Sequence, residues 1–267
     1  MDHALGLSEA IQDRGATVGI VGVGYVGSAL AEATTSAGFP TIGFDIDQKK
    51  VASINRRKSK RLTATTDMSR LARCDVICVC VPTPIFPDKT PDLRSLENAL
   101  EKIATYLRRG QLIVIESSVA TGATRNFVVP ILQKTKLQEG LDFFVAFSPE
   151  RVDPGNKIFT MTTIPKIVAG LDQRSTELAV RFYRQFIQHV IPVSSPEVAE
   201  LAKLLENSFR LINISFINEL AIYARSLGVD IWEVLAAAST KPFGFLAHHP
   251  GPGAKRSKTS AMRIRGW

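Results

Sequence analysis

Cysteine is scarce in this chain and confined to one place: Cys74, Cys78 and Cys80 stand close together, and no thiol follows Cys80. Their spacing of four and two residues along the apolar run CDVICVCV, with no histidine nearby, fits neither a disulfide framework nor a zinc site, and core packing is what it indicates. Long apolar runs are missing too. Nothing approaches the roughly 18 uninterrupted apolar residues that cross a bilayer, and the opening MDHALGLSEAIQDRG carries acidic residues, so no membrane partner or secretory signal is expected and the chain reads as cytoplasmic. Acidic residues are absent from the last fourteen positions, AKRSKTSAMRIRGW, which hold five basic ones. These supply five of the net charge of +8 and leave +3 for residues 1–253, too little bias for a nucleic-acid partner.

What is present is an ordinary globular composition, 45% hydrophobic and 22% charged over 267 residues, enough for one large or two smaller domains. From residue 17 short apolar runs alternate with helical periodicity, the pattern of parallel strands joined by crossover helices. TVGIVGVG, PTIGFDID, CDVICVCVP, QLIVIESS, DFFVAFSPE, KIVAG and HVIPVS read as successive strands. The expected fold is therefore α/β, a doubly wound, mostly parallel sheet of Rossmann type. Residues 196–228 then carry one long helical pattern, with Ser195 and Pro196 as cap and first turn and Gly228 as stop, followed by the short helix DIWEVLAAAST. The boundaries expected are an N-terminal extension over 1–16, the sheet domain over 17–195, a helical central region over 196–247 and a basic tail over 248–267. The long helix is apolar on more than one face, which suits either a domain-linking helix or the core of a homodimer.

The first strand runs into G-x-G-x-x-G at Gly22, Gly24 and Gly27, opens a helical pattern, and is answered by Asp45 at the end of the next apolar run. That context predicts a dinucleotide cradle. Gly22 permits a tight turn, Gly24 lets the backbone approach a pyrophosphate, and Gly27 allows the helix to lie close to the sheet. Asp45 would accept from ribose hydroxyls and repel a 2′-phosphate, which favours NAD over NADP. Three polar loops should converge where the nicotinamide would lie: VPTPIFPDKTPDL, ESSVATGATR and FSPERVDPG, the last with Glu150, Arg151 and Asp153. On the long helix Lys203, Asn207 and Arg210 share one face, either as a solvated stripe or as site residues amid LAKLLENSFRLI.

Taken together, the glycine fingerprint with Tyr25 and Val26, the VPTP loop, ESSV, SPERVDPG, AKLLENSFR, KPFGF and PGPG resemble the UDP-glucose and UDP-N-acetylhexosamine 6-dehydrogenases, over residues 17–253. The resemblance implies NAD-dependent oxidation of a UDP-sugar's primary hydroxyl through the aldehyde to the carboxylate. It implies that Lys203 stabilises alkoxide and oxyanion, that Asn207 positions a water or oxyanion, and that Glu150 is a base. Ser118 would take the place of a water-orienting Thr, and Arg151 and Arg210 would join Glu150, Lys203 and Asn207 around the substrate. Gly22, Gly24, Tyr25, Val26, Gly27, Asp45, Thr83 and Ser118 would line the NAD side, with no metal.

The chain departs from that family after PGPG, where a G-G-H-C-I-P segment carrying the nucleophilic Cys and a further UDP-holding domain are expected; AKRSKTSAMRIRGW stands there instead. A frameshift or truncation is the expectation this raises, against a basic tail that binds something acidic. A β-hydroxyacid dehydrogenase, which needs no Cys, and an inactive NAD-binding dimerising fragment are the competing readings.

Overall fold

The computed structural model describes residues 3–57, 59–152 and 160–251. The tail from residue 254 and Asp153 of the SPERVDPG loop lie outside them. Strands β1 (Val18–Val21), β2 (Thr41–Phe44), β3 (Leu62–Thr65), β4 (Val76–Val79), β5 (Gln111–Ile115), β6 (Phe143–Phe147), β7 (Lys166–Gly170) and β8 (Val190–Pro192) form one sheet in the order β3-β2-β1-β4-β5-β6-β7-β8. Neighbours pair in parallel except β6 and β7, which are antiparallel. The strand order turns back beside β1, so the gap between the carboxyl ends of β1 and β4 is the switch point at which such sheets open a crevice.

Alternating strand residues feed two cores. Val18, Ile20, Val76, Cys78, Leu112 and Val114 face helices α1 (His3–Gln12), α2 (Tyr25–Ser36) and α6 (Gln173–Tyr183). Val21, Ile77, Val79, Ile113 and Ile115 face α4 (Arg94–Tyr106), α5 (Val129–Leu132) and the start of α7 (Pro196–Ser226). Cys74 and Cys78 are buried in these layers and all three thiols are free.

Among the elements of the sheet domain that were not expected are β3 and α3. β3 is LTAT, half polar and with an alternating burial pattern; too short to show a period, it is held by its ladder to β2. α3 (Gln48–Asn55) buries no side chain and is started by Asp47, whose carboxylate accepts from the Lys49 amide at 2.8 Å. The segment before β1 forms α1, whose Leu7 and Ile11 join the core beside α6.

The long helix starts where its cap signals place it, with the Ser195 side chain accepting from the Val198 amide, Pro196 in the first turn and Gly228 beyond its end at φ +71°. Only Pro196, Ala199, Glu200, Ile217 and Ala224 of α7 are buried. α8 (Ile231–Ala238) packs back against it. Among the described residues no helix is long and apolar enough to cross a membrane.

Candidate active site

The crevice begins at the turn after β1. Gly22 has φ +91°, and a Cβ there would stand 2.9 Å from the Cys80 carbonyl oxygen, so only glycine lets the first loop pass the end of β4. At Gly27 a Cβ would fall 2.0 Å from the Gly22 carbonyl oxygen, which is how closely α2 lies on the strand it follows. Gly24 differs: a Cβ there would meet nothing within 4 Å. It caps α2, and the first amides of that helix, with Tyr25 exposed and Val26 half-buried beside them, border open space suited to an anion. Backbone strain, helix contact and an open cradle thus fall on three different glycines.

Asp45 closes the other side. Its side chain is 7% exposed and pairs with Lys50 at 3.1 Å. It also accepts from the amides of Val23 at 3.1 Å and Asp47 at 2.9 Å, which ties the end of β2 to the glycine turn. A cavity of about 440 Å³ opens here, lined by Gly22, Phe44, Asp45, Ile46, Pro82 and Asn98 among others. Its walls hold several groups that no sequence motif announced: Lys50, Met68, Ser95, Asn98 and Lys102. The last three lie on α4, brought to the crevice only by the crossover between β4 and β5. An open cradle at a helix start, a carboxylate at the end of the next strand and an apolar-walled cavity between them fit a dinucleotide.

The loops after β4 and β5 are fastened together. The Thr83 hydroxyl, buried, donates to the Ser118 carbonyl at 2.7 Å, and the Ser117 hydroxyl donates to the Val81 carbonyl at 2.7 Å. Thr83 is thus occupied in joining loops, while Ser118 is half-buried at the crevice.

After β6, Glu150 folds one carboxylate oxygen, Oε1, onto the amides of Arg151 at 2.8 Å and Val152 at 2.5 Å. The other, Oε2, is buried without a hydrogen-bond partner among the described residues. Arg151 is committed elsewhere: its guanidinium pairs with Glu206 of α7 at 2.6 Å and donates to the Pro165 carbonyl at 2.8 Å. It therefore clips the β6 loop to the long helix.

Lys203, Asn207 and Arg210 recur at helical spacing on α7, Lys203 and Asn207 half-buried and Arg210 exposed. Burial holds the Lys203 amine below the ordinary lysine range, with the carboxylates of Glu206 and Glu150 opposing that shift. The helix is anchored by a residue that sequence reasoning passed over. Glu200, fully buried, accepts from the amides of Gly122 at 2.6 Å and Thr124 at 2.8 Å and from the Thr124 hydroxyl at 2.6 Å. It ties α7 to the loop that carries Ser118, one turn before Lys203.

Comparison with known proteins agrees with this architecture. The model of the NAD binding domain of the UDP-glucose/GDP-mannose dehydrogenase family matches residues 55–187, and the model of that family's central domain matches residues 197–257. The model of the NAD binding domain of D-isomer specific 2-hydroxyacid dehydrogenases matches residues 7–93. UDP-N-acetyl-D-glucosamine 6-dehydrogenase of Pseudomonas aeruginosa is 38% identical over 249 residues, 88% of this chain and 58% of that protein. UDP-N-acetyl-D-mannosamine dehydrogenase of Pyrococcus horikoshii is 33% identical over 253 residues, 88% of this chain and 60% of its own length. The solved structure of the UDP-D-ManNAc dehydrogenase from Pyrococcus horikoshii superposes with a TM-score of 0.82 at 32% identity, covering 88% of this chain and 60% of that one. The chain thus spans about three fifths of the length of the relatives it matches. With both of its domain models matched in order along one continuous fold, the chain belongs to the UDP-glucose/GDP-mannose dehydrogenase family, and its cofactor is NAD.

Proposed function

We propose that this chain takes part in the NAD-dependent oxidation of the primary hydroxyl of a UDP-sugar. The observation that supports the reading is the partly desolvated amine of Lys203, which the Glu150 carboxylate influences, together with a buried Glu150 oxygen that has no hydrogen-bond partner among the described residues. Bound NAD would accept a hydride from the sugar carbon. The chain's own part is to bind, orient and move protons. Gly22, Gly24 and Gly27 hold the pyrophosphate at the start of α2, where Tyr25 and Val26 supply the first helical positions, and Asp45 takes the ribose hydroxyls. Lys203, deprotonated more readily than a solvated lysine, receives the hydroxyl proton or stabilises the alkoxide as it forms. Asn207 and the Ser118 hydroxyl orient the reacting oxygen or a water, and Glu150 is the base for that water. Arg210 faces the substrate from the same side of α7, and Arg151 serves by holding the Glu150 loop in place. Thr83 serves the NAD side by fixing the loop of Ser118.

Covalent capture of the aldehyde needs a thiolate, and the cysteines of this chain do not supply one. Burial pushes the thiol of Cys74 up to about 12 and those of Cys78 and Cys80 well above their ordinary value. We further infer two units, 17–195 for the cofactor and 196–247 for substrate contact and self-association through α7 as a homodimer. The test is NADH formation by the purified chain with UDP-glucose, UDP-N-acetylglucosamine or UDP-N-acetylmannosamine, with NAD binding followed in parallel. NADH that appears with the native chain and is lost in Lys203→Ala, with NAD still bound, is the expected result. Binding of NAD without NADH from any of the three sugars overturns the oxidative reading.

A further inference from the structure

Beneath the crevice lies a cluster of buried charge that the proposed chemistry leaves unused. The side chains of Lys166 and Glu116 are 4% and 0% exposed and meet at 2.7 Å. The Tyr183 hydroxyl, from α6, donates to the other oxygen of Glu116 at 2.6 Å, and the Lys166 ammonium lies 4.9 Å from the centre of the Tyr183 ring. Glu116 comes directly after β5, at the head of the ESSV loop. Lys166 is the first residue of β7, and because β7 runs against β6 its start lies at the edge where β1 to β6 end. The pairing of Phe147 with Ala169, continued outward, sets Lys166 opposite Glu150. The ammonium stands 4.0 Å from Oε2 of Glu150, the oxygen with no hydrogen-bond partner among the described residues.

Two carboxylates therefore share one buried ammonium, which leaves one negative charge in excess. Burial pushes the Glu116 carboxyl up, with Lys166 pulling it back. Burial alone would lower Lys166, but Glu116 and then Glu150 outweigh it and hold the amine charged. Cys80 after β4, Glu116 after β5, Lys166 of β7 and Lys203 of α7 each interact electrostatically with Glu150, whose neighbour Arg151 pairs with Glu206. Glu150 thus interacts with two lysines, Lys166 at 4.0 Å and Lys203 of α7.

We propose that Lys166 is a positioning residue, shared between Glu116 and Glu150, which holds the second oxygen of Glu150 from beneath and couples proton uptake by Glu150 to the charge of Glu116. Before uptake the three groups sum to one negative charge; afterwards Lys166 and Glu116 form a neutral pair beside a neutral acid. A base placed over this pair gains a proton without leaving net charge in the interior. The catalytic meaning rests on Glu150 being the base, but the coupling does not.

The experiment tracks the Glu150 carboxyl by carbon-13 NMR in the full chain labelled at glutamate, with the signal assigned by its loss in Glu150→Gln. Lys166→Met is expected to raise the Glu150 titration midpoint by about one unit or more, and Glu116→Gln to lower it. Lys166→Arg should keep it near native. Should either single variant fail to fold, the double variant Glu116→Gln/Lys166→Met leaves neither charge unpaired, and it should raise the midpoint by less than Lys166→Met. A midpoint that stays at the native value in folded Lys166→Met, or in the double variant, overturns the coupling. If the midpoint moves while the pH profile of NADH formation does not move with it, the coupling stands and the assignment of Glu150 as base is refuted.

Discussion

Asp45 was readable from sequence because its signal is a spacing, but its surroundings were not: the carboxylate is already engaged by two amides and Lys50. A dinucleotide ribose has to share or displace those partners. Asp45→Ala is expected to weaken NAD binding by about tenfold to a hundredfold, measured by calorimetric titration, since hydrogen bonds to a charged group are lost. Unchanged affinity would mean that Asp45 does not reach the ribose. Other residues of the cavity and of the cluster beneath it left no local trace. Ser95, Asn98 and Lys102 enter the cavity through the placement of α4, and Glu116 and Lys166 meet across fifty positions of sequence. Glu139 gives a further test at this scale. Burial, then the neighbouring Asp172 carboxylate, raises its pKa to about 7. An unfolded chain ionises this group from the ordinary glutamate range upward while the folded chain keeps its proton. Stability is therefore lost as pH rises from about 4.5 to about 7. Glu139→Gln should match the native melting temperature near pH 4 and exceed it at pH 8; a pH-independent difference would show that the group titrates normally.

Among the elements, the strands with continuous apolar runs were legible, as were the helices with both a cap and a stop. β3 and α3 were not, because each is short and at least half polar and owes its shape to a neighbour: a ladder to β2 in one case, the Asp47 cap in the other. The long helix was legible in extent and not in attachment. Glu200, which reads as one acid among several, is the buried tie between α7 and the Ser118 loop, whereas Glu197 three residues earlier makes a partly exposed pair with Arg125 at 2.8 Å. Glu200→Ala should cost about 3 kcal/mol in urea unfolding, since it strands buried donors. Glu197→Ala should cost about 1 kcal/mol or less, as exposed pairs do. Equal losses would mean that the tie does not bear on stability.

For the whole molecule, the sheet and crevice were anticipated, and the surface of α7 defines what remains to be covered. Leu205, Phe209, Ile212 and Phe216 are exposed along one stripe. At 100° per residue this stripe lies about opposite Lys203, Asn207 and Arg210, so a second copy packed on it would leave the crevice open. Sedimentation velocity should find a dimer that Phe209→Glu/Phe216→Glu dissociates while NAD binding is kept; a native monomer at micromolar concentration would refute self-association through this face. The reversal of direction between β6 and β7 has a consequence at the same scale. In a sheet whose strands all run one way, a strand's first residue lies at the face far from the ligand, and only its last residues and the loop beyond them can reach it. β7 inverts that rule, so the crevice floor receives a side chain held by the ladders of β6 and β8. A substitution within that strand, remote from every loop motif, can thus retune the chemistry of a site whose visible residues all stay the same.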